Sequence, residues 1–197
     1  MKKTLLVTLA ILFSLASFCY ALETDTHEYI NEYIARNTIN GFSLDSYLRN
    51  QLNIEEGIKD IFNSKYVWWW LSKGGRYEDK PPWCIPYWRS LRHFHNPLTD
   101  KGLDGILESS IQWSQKPAET QSCGHYSWDD VRGYFLKALT SQTKSDRDEN
   151  FAETFRGLGQ LMHLVQDLSV PAHTRDDGHY VLHSYKKGLE MMRGRRI

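Results

Sequence analysis

The sequence predicts an all-α domain, on two grounds. Apolar residues recur at helical spacing, as in Phe155, Leu158, Leu161, Met162, Leu164, Val165 and Leu168, and there is no convincing period-2 alternation, internal repeat or low-complexity tract. Within that stretch His163 and Asp167 stand four apart, which puts them one turn apart on one helix face. Pro171 ends this helix, and His173 follows from the next turn. Imidazole, carboxylate and imidazole at a helix end are ligand types that zinc prefers; a buried helix with locally satisfied polar groups is the plainer alternative.

Taken in order, residues 1–21 read as a secretory signal peptide: Lys2 and Lys3 precede an apolar run from Leu5 to Ala16 and a short stretch ending at Ala21. Cleavage after Ala21 leaves Leu22 as the mature N-terminus, with Ala16 as the competing site, and Phe18 before Cys19 argues against a lipid anchor. A periplasmic or secreted protein follows. About 176 residues remain, enough for one domain spanning 22–197, and no later segment is long and apolar enough to cross a membrane. Thr24 or Asp25 caps a first helix that ends near Asn37. A second helix is expected over roughly Ser43 to Phe62, and Gly74, Gly75, Pro81, Pro82 and Pro86 mark 72–90 as a long loop. A helix from about Lys101 to Trp113 precedes a polar loop. Ser127 and Asp130 form a capping box for a helix through Leu139, and the His163 helix begins near Ser145.

Charge is balanced at 24 Lys+Arg against 24 Asp+Glu, which excludes broad electrostatic attraction to nucleic acid or anionic lipid. Cys84 and Cys123 outlast signal removal and are either bridged or two free thiols. Trp68, Trp69 and Trp70 form either an exposed aromatic patch or the packing of a corner against the core.

Six of the eight histidines fall where ligands would meet: His27 on the first helix, His93 in His93-Phe-His95, His163 and His173 in the helix-end motif, and His179 with His183 at i,i+4 spacing; His95 is not among the six, and Glu78 and Asp79 follow the glycine pair. In this order the residues resemble the zinc-dependent phospholipase C family and the related single-strand-specific zinc nucleases. The strongest element is His-x3-Asp-x5-His combined with His93-Phe-x-x-Pro and Asp79 fourteen residues earlier.

The resemblance implies a multi-helix domain with up to three zinc ions in one cleft. It implies that Asp79, His93, His163 and Asp167 hold one zinc. Asp167 bridges to a second, which His27 completes with the backbone amine and carbonyl of Leu22 at the mature N-terminus. His173 binds the third ion with His179 and His183, although the family has a carboxylate where His183 stands. Reading His183 as the histidine instead puts Lys187 at the carboxylate position. Family members continue with further helices, whereas this chain ends shortly after, in Met191–Ile197, which leaves open a truncated or frame-shifted product.

The expected activity is phosphodiester hydrolysis of phospholipid head groups, with Asp79 as the catalytic base and Glu78 solvated. A zinc nuclease acting on single-stranded nucleic acid, with Trp83 or Trp88 stacking on bases, and a non-catalytic metal-stabilised binding domain are the alternatives. Oligomeric state is left open.

Overall fold

The computed structural model describes residues 22–82, 84, 87–116, 121 and 123–175. His179 and His183, the proposed signal peptide and Trp83 lie outside the described residues. The chain is mostly helical: α1 (Thr24–Arg36), α2 (Leu44–Leu52), α3 (Val67–Asp79), α4 (Tyr87–Ser90), α5 (Ser110–Ser114), α6 (Trp128–Thr140), α7 (Lys144–Asp167) and α8 (Pro171–Thr174). Two small antiparallel hairpins interrupt them: β1 (Thr38–Ile39) with β2 (Phe42–Ser43), and β3 (Ile61–Phe62) with β4 (Lys65–Tyr66).

The hairpins are a departure from the sequence expectation, and backbone chemistry explains them. Asn40 and Gly41 both have positive φ, as do Asn63 and Ser64, which is the geometry of a two-residue hairpin turn that matches strand twist. The expected helix from Ser43 to Phe62 is accordingly cut short. Ser43 does cap it, accepting from the Ser46 amide, but Asn53 turns into the left-handed region after Leu52. A single 3-10 turn (Gly57–Lys59) then leads into β3. Likewise, the helix expected over 101–113 is a 3-10 turn (Leu103–Gly105) followed by the short α5.

The largest correction is α3. The glycine pair does not break the chain; the helix runs through it to Asp79. A β-carbon at Gly74 would lie 2.2 Å from the Arg156 carbonyl oxygen and 2.8 Å from Gly159 Cα, and one at Gly159 would lie 2.2 Å from the Leu71 carbonyl oxygen. The two glycines therefore let α3 and α7 touch backbone to backbone, which side chains would forbid. The helix-forming cost of glycine, about 1 kcal/mol each, is offset by this packing.

α3 and α7 form the central pair, with α1 on α3 and α6 on α7. Phe62, Phe151 and Phe155 stack at the far end of the crossing from the histidines, with ring centroids 4.7 Å apart for Phe62 and Phe151. The Trp run opens α3 and packs inward. Trp70 is buried and donates its indole N–H to the Phe62 carbonyl at 2.9 Å, while Trp68 and Trp69 are half-buried against the core. Ser127 and Asp130 make the expected reciprocal capping box. Cys84 and Cys123 are joined in a disulfide. No helix among the described residues is long and apolar enough to cross a membrane.

Candidate metal centre

Five elements deliver side chains to one buried point near the end of α7. His27 comes from α1, Asp79 from the last residue of α3, His93 from the segment after α4, His163 and Asp167 from α7, and His173 from α8. Pro171 does more than end a helix: it occupies the first turn of α8, where its missing N–H is harmless, and His173 sits in that turn. His27, His93, His163, Asp167 and His173 are all buried. Asp79 is the half-buried member, its side chain 21% exposed.

Asp167 is the hub. Its Oδ2 lies 2.8 Å from His93 Nδ1 and 3.2 Å from His163 Nε2, while its Oδ1 lies 3.1 Å from His173 Nδ1 and 3.3 Å from His27 Nε2. Asp79 Oδ1 stands 3.6 Å from both His93 Nδ1 and His163 Nε2. The His27 and His163 rings stack at 3.6 Å between centroids. Two ligand groups of metal-binding compactness result: His27 with Asp79 and His163, and His93 with His163 and Asp167. Thr24, at the first turn of α1, donates its hydroxyl to Asp79 Oδ2 at 2.8 Å rather than capping its own helix. Leu22, two residues earlier, is half-buried.

The hydrogen bonds around this hub fix which nitrogen of His27 and of His163 faces outward. Asn31 donates its amide N–H groups to the carbonyls of Leu71 and Gly159, both at 2.9 Å, so its oxygen must face the other way. That oxygen accepts from Gln166 Nε2 at 2.7 Å, and Gln166 Oε1 then accepts from His27 Nδ1 at 2.8 Å. His27 Nε2 therefore faces Asp167. His163 follows the same logic: Nδ1 bonds the Gly75 carbonyl at 2.7 Å, and a carbonyl only accepts, so Nε2 turns inward. Outer nitrogens on protein acceptors with inner nitrogens converging are the usual support of metal-binding histidines.

Electrostatics agree with a cation at this point. Burial disfavours the charged form of His93, but the Asp167, Glu78 and Asp79 carboxylates together outweigh it and raise His93 to about 10; His163 is raised by Asp167 and Asp79 against the same burial. Burial alone would push Asp167 up, yet the charges of His163 and His93 hold it well below the usual carboxylate range. His163 Nε2 and Asp167 Oδ2 nevertheless have no aligned hydrogen-bond partner although both are buried. Convergent donor atoms, orphaned and facing one another, fit a bound metal ion.

Glu78 overturns the expectation that it is solvated. It is fully buried, and its Oε2 accepts from Arg89 Nη2 at 2.7 Å, Arg89 Nε at 3.0 Å and Gln160 Nε2 at 2.8 Å. Burial works to raise its carboxyl, but the Arg89 and His93 charges hold it far below the ordinary range. Sequence reasoning missed Asn31, Gln160 and Gln166 as well. The available signal was spacing: Asn31 lies one helical turn after His27, Gln160 one turn before His163, and Gln166 beside Asp167. His125 is exposed, as an ordinary loop histidine is, and Trp88 is 56% exposed on α4. No protein-family model, curated protein or solved structure matches the chain.

Proposed function

We propose that this chain is an exported zinc-dependent phosphodiesterase of phospholipase C type. The observation that carries the reading is the division of labour at Asp167, one oxygen toward His93 and His163 and the other toward His27 and His173. A carboxylate so placed suits two neighbouring ions. His93, His163, Asp79 and Asp167 would hold one; His27, Asp167 and the Leu22 backbone would hold the other. His173, with His179 and His183 beyond the described residues, belongs to the proposed third site. When bound, zinc supplies charge to offset the phosphate oxygens and acidifies a coordinated water.

The chain's own part is positioning and proton transfer. Asp79 reaches solvent from the rim of the cluster and is the proposed base. The water oxygen bonds to phosphorus, its proton passes to Asp79, and the bond from phosphorus to the leaving alkoxide breaks. The alkoxide takes a proton from solvent and departs as a diacylglycerol-like alcohol. A lipid substrate is favoured by an apolar cavity of about 640 Å³ lined by Ile34, Ile111, Trp128, Leu161 and Val165, which shares Gln166 with the His27 network.

The deciding experiment loads the chain beginning at Leu22 with zinc and assays it on phosphatidylcholine vesicles and on single-stranded DNA, with and without chelator. Chelator-sensitive release of phosphocholine is expected. Nucleotide release with intact lipid would replace this reading by the nuclease one. Bound zinc with no turnover of either substrate would leave a metal-stabilised binding domain.

A further inference from the structure

Glu78 and Asp79 are adjacent at the end of α3, yet they point to opposite sides of His93. Asp79 Oδ1 lies 3.6 Å from His93 Nδ1, and Glu78 Oε1 lies 3.7 Å from His93 Nε2. The carboxylate of Glu78 is not free to swing. Three donors from Arg89 and Gln160 hold its Oε2, which leaves Oε1 aimed at the imidazole with no hydrogen-bond partner of its own. His93 Nε2 is likewise buried and without an aligned partner. Two complementary orphaned atoms thus face each other across a gap slightly too wide for a hydrogen bond.

On the metal reading given above, we infer that Glu78 is the positioning residue for His93, accepting a hydrogen bond from Nε2–H so that Nδ1 presents its lone pair to the metal. The arrangement completes a pattern in the cluster: Gln166 Oε1 serves His27, the Gly75 carbonyl serves His163, and Glu78 serves His93. Among these three acceptors only Glu78 is anionic. A carboxylate partner makes the imidazole a stronger donor than an amide or carbonyl does, so His93 is the most strongly bound imidazole of the three. Arg89 supplies the counter-charge that a buried carboxylate needs, and its two N–H groups on Oε2 hold the carboxylate in place. Only a small shift of the ring would bring the two atoms within hydrogen-bonding distance.

The test uses zinc-loaded protein with ¹⁵N-labelled histidine. His93 should show a metal-coordinated Nδ1 and a protonated Nε2. Competition with a chromophoric chelator should show zinc affinity falling about 10- to 100-fold in Glu78→Gln. Because that variant leaves Arg89 buried without its partner, the double variant Glu78→Gln/Arg89→Gln is measured beside it, and the same loss is expected with the helical circular dichroism retained. Coordination of His93 through Nε2 overturns the role of Glu78 while leaving the metal site standing, and so does unchanged affinity in a folded variant. A wild-type chain that takes up no zinc overturns both.

Discussion

The Nδ1 of His163 on α7 donates to the carbonyl oxygen of Gly75 on α3 at 2.7 Å, which makes the central helix crossing and the candidate metal centre parts of one arrangement. The ring's inward nitrogen is set by the same backbone contact that seats the two helices. Damage to the crossing is therefore damage to the site.

Gly74→Ala checks this directly. Its added methyl would meet the Arg156 carbonyl and Gly159 Cα. We expect a loss of about 3 kcal/mol in urea unfolding, the upper range for overpacking, together with weaker zinc binding although residue 74 touches no ligand. Wild-type stability in the variant would mean that the helices are not in backbone contact.

Asp167→Ala should be the most damaging single change to metal content. It removes the one carboxylate that lies against four imidazoles, and zinc affinity should fall by more than about 100-fold. Metal analysis after dialysis reads the result, and full retention of zinc would refute the hub.

The N-terminus offers a third check. The Thr24 hydroxyl on Asp79 brings the start of α1 to the cluster, so a chain beginning at Leu22 should bind one more zinc than a chain carrying extra residues before it. Equal zinc content in the two would remove Leu22 from the ligand set.

A pH dependence follows from His93. Its folded value, raised to about 10, exceeds the ordinary 6.5, so the folded chain holds more protons than the unfolded chain between those limits. Its contribution is fully present below pH 6.5 and is lost as the pH rises toward 10. The metal-free chain should accordingly unfold at progressively lower urea across that window. The zinc-loaded chain, with the proton already displaced, should not show the decline.

Reduction of the Cys84–Cys123 bridge should lower stability by up to about 4 kcal/mol, the chain-entropy value for a separation of 39 residues. Guanidinium unfolding with and without reductant measures it.

The helix that carries His163 and Asp167 was legible because both lie on an ordinary apolar periodicity, and helix geometry alone brings them together; its Thr143 cap was not read. The Ser127 capping box was legible for the same reason: its partners are three residues apart. What could not be read were features that depend on a partner far along the chain. Gly74 and Gly75 look like a turn until Gly159 is placed against the first and the His27–Asn31 turn of α1 against the second. Glu78 beside Asp79 looks like a solvated acid until Arg89 and Gln160 close over it. The two hairpins are a different case, since Asn40-Gly41 is a local signal that was available but carried by strands of only two residues.

His27 sits on the first described helix and Asp167 at the end of the longest one, with nearly the whole described chain between them. A contact of such long range forms late, after the loop-closure cost of everything between has been met. During synthesis the first imidazole would wait, without its carboxylate, until the last turn of α7 had emerged. An ion held between the two would then act as a clasp: its residence time would set how long the first helix stays fastened, and a chelator would become, in effect, a denaturant that works from one end.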